Sequence, residues 1–161
     1  MLPSASFTNA HTLAKNEFNS IRVRALGTSW IAKILHRDNR PKQFTDTGLV
    51  KYQNKHFTGI QNIQVDRIIG TFSREADFDK NFRPLKKHLC DRWIHTLLRL
   101  RTDGWQPILI HKVGEYYYVE DGHHRVSVAR ATGMIFIEAE VWDHSYCQLR
   151  QAPCPPHQSR A

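Results

Sequence analysis

The run Tyr116-Tyr117-Tyr118-Val119-Glu120-Asp121-Gly122-His123-His124-Arg125, continued by Val126 to Gly133, leaves the chain little conformational choice. β-Branched and aromatic residues up to Glu120 favour a strand, Asp121-Gly122 a reversal, and Val126, Val128, Ala129 and Ala131 a helix that Gly133 stops. Glycine lets the chain turn with its backbone open, so the first free amides of the helix face outward, where the helix dipole adds partial positive charge. His123, His124 and Arg125 bring side-chain donors to the same point. Cations are disfavoured at a helix N-terminus, so the cluster needs an anion or Asp121 to offset it. A locally disfavoured choice of this kind marks a site. Strand-turn-helix junctions without function share part of the pattern, but three consecutive donors set this one apart. Gly122, His123, His124 and Arg125 are therefore the expected phosphate-binding residues, most readily for a nucleotide.

A chain of 161 residues accommodates one domain with a core plus an appended segment. No apolar run is long enough to cross a bilayer, and the start around Pro3, Ser4 and Ser6 lacks the apolar stretch of a secretory signal. Cys90, Cys147 and Cys154 read as reduced thiols, so the cytoplasm is the expected compartment. The net charge of +8 is uneven: residues 1–60 hold nine Lys/Arg against three acids, the remainder fourteen against twelve. Arg22, Arg24, Lys33 and Arg37 lie in that basic third and are the candidate nucleic-acid contacts. They interleave with Phe18, Ile21, Val23, Leu26, Trp30, Ile31, Ile34 and Leu35 in one or two helices over 13–36, interrupted near Gly27. Such a basic amphipathic segment can lie on a membrane, on a duplex or, most commonly, on its own domain.

The remaining elements follow from periodicity and turn chemistry. Residues 1–12 are expected to be irregular and 38–59 to be a connector. A first strand is predicted over 60–69, an acid-rich loop over 70–79, and a helix from Pro84 to Arg101 whose Leu85, Leu89, Trp93, Leu97 and Leu100 share a face. Strands over 107–112 and 116–120 flank a turn at Val113-Gly114-Glu115, and 135–142 forms the last strand. The polar tail 153–161 is expected to be disordered. His144, Cys147, Cys154 and His157 could ligate zinc, but their central spacing is short and no knuckle flanks them. Trp93 and Trp105 read as packing residues. The expected division is 1–59, a basic helical segment and connector; 60–143, the main domain; and 144–161, a polar tail.

The order strand, acidic loop, helix, Gln106-Pro107-Ile108, hairpin and Gly122-His123-His124-Arg125 resembles the ParB/sulfiredoxin superfamily in its ParB N-terminal-like branch, over about residues 61–143. The resemblance implies an α+β fold with a mixed β-sheet and packed helices, here with an N-terminal basic helical extension. That superfamily holds CTP-hydrolysing partition clamps, sulfinic acid reductases using ATP, free-serine kinases using ADP, and proteins described as nucleases. Sulfiredoxins carry a reactive cysteine where this chain has His123, which disfavours sulfinic reduction. Partition proteins continue into a helix-turn-helix reader, whereas eighteen residues follow Asp143 here. The free-serine kinases carry Asp-Gly-His-Thr-Arg, which is similar to residues 121–125.

The resemblance thus implies a nucleotide, ATP, ADP or CTP, with Mg²⁺, undergoing hydrolysis or phosphoryl transfer to a small acceptor. Such chemistry needs donors on the phosphates, a divalent cation and a carboxylate. Glu75, in the loop where the kinases place a catalytic glutamate, Asp121 and His123 are the catalytic candidates. Asp121 is also the candidate Mg²⁺ ligand, and Asp77 and Asp79 are further loop acids. The alternative expectation is a nucleic-acid-binding module without sequence preference, or a weak nuclease.

Overall fold

The computed structural model describes residues 4–48 and 55–144. Its spine is a six-stranded mixed sheet in the order β1-β3-β5-β4-β6-β2. The strands are β1 (Lys42–Gln43), β2 (His56–Gln64), β3 (Ile68–Thr71), β4 (Ile108–Val113), β5 (Tyr116–Asp121) and β6 (Phe136–Asp143). β5 runs parallel to β3 and antiparallel to its hairpin partner β4, which in turn runs parallel to β6. The helices are α1 (Ser4–Ile34), α2 (Cys90–Thr102) and α3 (His123–Ala131). The fold class is α+β, as the sequence predicts.

α3 is buried between two layers because it is apolar on opposite sides. Val126 and Ala129 join Ile108, Ile110, Val119, Ile137 and Val141 of the sheet in one core cluster. Val128 joins Phe18 of α1 and Trp93 and Leu97 of α2 in the other. The buried Trp93 Nε1–H donates to Ser127 Oγ at 3.0 Å, and Phe18 meets the Trp93 ring edge-on. Strand alternation turns Tyr118 and His111 to the opposite face of the sheet. Phe44 covers them, stacked on Phe72 at 4.1 Å between ring centres.

Four local expectations differ from the structure. The helix begins at Ser4 rather than after residue 12 and runs through Gly27 unbroken. Ala14, Phe18, Ile21 and Ala25 recur every three or four residues; the first three pack toward α2 and Ala25 is buried on the same face, which outweighs the weak propensity of a single glycine. The stretch read as a connector contains β1, a 3₁₀ turn at Phe44–Thr47 and the start of β2. The predicted strand 60–69 is two strands, β2 and β3, separated by a 3₁₀ turn at Val65–Arg67. Finally, Pro84 does not open a helix: it pairs with Phe78, and α2 starts at Cys90 after a 3₁₀ turn. The fully buried Asp79 is the cause. Its carboxylate accepts from the Asn81 and Arg83 amides and from Arg83 Nε at 2.8 Å, which holds 79–83 in a closed loop and keeps Pro84 extended.

β2 is an edge strand, and its pairing with β6 slips between Phe57 and Ile60, where Gly59 takes φ +91°. The tail 145–161, with Cys147, Cys154 and His157, lies outside the described residues, as do residues 1–3.

Candidate functional site

Gly122 sits at the N-cap of α3 with φ +104°, and a Cβ there would run into the Ile108 side chain. Glycine is required on both counts. The carbonyl of Gly122 accepts from Val126 N–H at 3.0 Å, and having no side chain Gly122 cannot cap the amides of the first turn. That turn forms one wall of a cleft of about 500 Å³. The second wall is one face of α2, where Arg92, His95, Thr96 and Arg99 recur at helical spacing. Arg74, from the loop after β3, and the Trp105-Gln106 segment close the sides. Trp105 is fixed by its Nε1–H, which donates to the Thr96 carbonyl at 2.9 Å.

The two histidines of the turn are buried and play different parts. His123 is 5% exposed, and its Nε2 lies 2.5 Å from Thr71 Oγ1. The Thr71 oxygen already accepts from the Ser73 and Arg74 amides, so its proton goes to the imidazole, and the His123 hydrogen resides on Nδ1. His124 is 7% exposed, lines the cleft, and has no partner for either ring nitrogen. Burial pulls the pKa of each down to about 4; Arg74 pushes His123 further that way, and Arg92 and Arg74 do so for His124. Both rings are neutral at physiological pH.

Arg125 points back into the protein. Its Nη1 donates to the carbonyls of Gln106 at 2.6 Å and Pro107 at 2.9 Å, and its Nη2 pairs with Asp121 Oδ2 at 2.5 Å. The guanidinium thus clamps α3 to the residues leading into β4, and Asp121 supplies the charge compensation that the helix start requires. Arg92 and Arg99 have no ion-pair partner among the described residues, and they present their charge to the cleft.

The carboxylates are distributed otherwise than expected. Glu75 does not line the cleft, and its charge acts on Arg40, a residue of a separate cavity. Asp77 is paired with Arg74 at 3.5 Å and Lys86 at 3.1 Å, and Asp79 is the structural anchor of its loop. Asp121 lines the cleft with 70% of its side chain exposed. Glu120 lines it too, held by His111 Nε2 at 2.6 Å, and His111 Nδ1 meets His144 Nε2 at 2.9 Å. Burial lowers His111 to about 4 against the pull of Glu120, and burial lowers His144 as well. Glu120 therefore accepts from His111, and His111 accepts from His144. Among the described residues, no three His, Cys, Asp or Glu side chains are grouped to hold a metal.

The basic N-terminal residues stand apart from the cleft. Arg22 Nε donates to the Leu85 carbonyl at 3.1 Å, tying α1 to the segment before α2, while Arg24, Lys33 and Arg37 are exposed. Of the site residues predicted from sequence, the structure brings Asp121, Gly122, His123, His124 and Arg125 to one cleft and leaves Glu75 outside it. Sequence reasoning missed Arg74, Arg92, Arg99 and Glu120. The signal for two of them was present as a polar stripe on α2, beside the apolar face of Trp93 and Leu97.

No described helix is long and apolar enough to cross a membrane. No protein-family model and no curated protein matches the chain. Among solved structures, the chain is similar to the crystal structure of sulfiredoxin from Arabidopsis thaliana, at TM-score 0.40 and 22% identity, over 56% of this chain and 92% of that one.

Proposed function

We propose that this protein binds a nucleoside di- or triphosphate, ATP, ADP or CTP, in the cleft at the Gly122 turn and hydrolyses it or transfers its phosphoryl group to a small acceptor. The observation that carries the reading is the convergence on one cleft of Arg92 and Arg99, the uncapped first turn of α3 and the buried, unpartnered His124. Unpaired cations beside free amides favour an anion rich in oxygens. A cleft of about 500 Å³ accommodates a nucleotide rather than a polymer.

In this reading the phosphates lie on the amides of His123, His124 and Arg125, with Arg92, Arg99 and Arg74 neutralising them from the opposite walls. His124 gains a partner for a ring nitrogen, and Arg125 keeps the turn in shape without touching the ligand. Glu120 is held by His111 on the other face of the sheet, so Asp121, on the α3 side of β5, is the carboxylate that would orient an attacking water or alcohol. Mg²⁺ fits only in company with the phosphates, since such an ion takes one or two protein carboxylates and completes its shell from phosphate and water. The exposed Asp121 is the residue that would hold it, and the ion would supply charge neutralisation.

The test is thermal stabilisation by ATP, ADP, CTP and pyrophosphate, with and without Mg²⁺. At least one nucleotide should raise Tm, and Arg92→Ala with Arg99→Ala should abolish the rise. Arg101→Ala, on α2 but outside the cleft, should leave it intact. Stabilisation by none of the compounds, or equal stabilisation of the double variant, would refute the reading.

A further inference from the structure

α1 carries two apolar stripes, and its own domain uses one. Ala14, Phe18, Ile21 and Ala25 form the face turned to the rest of the domain, with Ala14, Phe18 and Ile21 against α2, and Ala14, Phe18 and Ala25 are buried. On the opposite side of the helix, Thr12, Asn16 and Asn19 are polar, but the same line continues into Val23, Leu26, Trp30 and Ile34. These four are 66%, 42%, 68% and 55% exposed. Ile31 beside them is also exposed. The switch from polar to apolar at Val23 confines the patch to the last three turns of the helix.

The charges around the patch identify what covers it. Residues 18–37 contain Arg22, Arg24, Lys33 and Arg37 and no acid. Arg24, Lys33 and Arg37 are exposed, and Lys33 and Arg24 flank the stripe on its two sides. A second copy of the helix would bring the same cations against these. The tail 145–161 has Arg150 and Arg160 and no acid, so it offers no complement either. A nucleic-acid backbone would satisfy the rim but would meet Trp30, Ile34, Val23 and Leu26 at the centre. An apolar stripe with a tryptophan, bordered by lysine and arginine, matches the boundary between acyl chains and acidic headgroups.

We propose that the C-terminal half of α1 docks the protein on a membrane surface rich in acidic phospholipids. The helix lies in the plane of the interface, with Val23, Leu26, Trp30 and Ile34 below the headgroups and Arg24, Lys33 and Arg37 among the phosphates. α2 and the cleft are carried on the side away from the lipid. This surface is independent of the proposed nucleotide site.

The experiment is flotation of the full-length chain with vesicles of phosphatidylcholine alone and of phosphatidylcholine mixed with phosphatidylglycerol. Binding should require the acidic lipid and weaken with salt, each neutralised cation costing about fivefold in affinity. Trp30→Ser with Ile34→Ser should weaken it at least roughly tenfold while circular dichroism keeps the helical signal. A blue shift of tryptophan emission on vesicles should vanish in Trp30→Phe. No binding to acidic vesicles at low salt, or undiminished binding of the Ser variant, would overturn the proposal. So would tighter binding to duplex DNA that the Ser variant retains, or a concentration-dependent dimer that the Ser variant loses.

Discussion

Acidification should unfold this protein through three histidines. His111, His123 and His124 are buried among Phe44, Phe72 and Phe78, and burial holds each near a pKa of about 4 against 6.5 for a free imidazole. Released into the unfolded chain, each takes up a proton as the pH falls below about 6.5, whereas in the folded chain it stays neutral until about 4. The unfolded state therefore binds more protons throughout that window. Stability is fully present above it and is lost as the pH falls, by up to about 1.4 kcal/mol per pH unit for each ring. At about pH 5 each ring costs at most about 2 kcal/mol. Solvent screening at the cleft mouth reduces the sum for the three to roughly 3 kcal/mol, a large part of the stability of an ordinary domain. Urea midpoints measured between about pH 7 and about pH 5 should fall monotonically, and His124→Leu should remove about a third of the dependence. A midpoint unchanged across that range would mean that the rings titrate alike in both states and that water reaches them in the fold.

Three substitutions probe the turn and its supports. Arg125→Ala strands the Gln106 and Pro107 carbonyls and leaves Asp121 unpaired, so thermal unfolding should show a loss of about 2–4 kcal/mol. Arg125→Lys should recover little, because an ammonium cannot reproduce the fork. Gly122→Ala forces a side chain into a left-handed backbone and against Ile108. Chemical denaturation should register a cost of about 2–4 kcal/mol, together with loss of any nucleotide-dependent stabilisation. Trp93→Phe leaves the buried Ser127 hydroxyl without its donor and opens a small void, for which a drop of about 1–3 kcal/mol is expected in the same assay.

Features written into short windows were legible in the sequence. The strand-turn-helix from Tyr116 to Gly133, the two-residue hairpin turn and β6 lie within a residue or two of expectation, because period, glycine and β-branched content all act over neighbours. The compensation of Arg125 by Asp121 was also readable, as a pair four residues apart. What the sequence hid depends on partners far along the chain. Phe44 looks like a lone aromatic in a polar connector until Phe72, Tyr118 and His144 are seen to surround it. Arg74 and Arg99 stand 25 positions apart in a 161-residue chain and meet only because α2 folds back beside the β3 loop. Glu120 meets His111 only across the hairpin, and Glu75 lies outside the cleft with its charge acting on Arg40, 35 positions earlier in the chain.

The slip in β2 also governs how the molecule meets its own kind. Open sheet margins are templates for strand addition, and the sheet ends on one side in the two-residue β1 and on the other in the nine-residue β2. β1 is too brief to recruit a neighbour. The irregularity at Gly59 divides the longer margin into two short pieces, so a foreign strand finds no continuous ladder to extend. With Phe57 and Ile60 exposed beside it, this interruption keeps a sticky border from growing into a fibre.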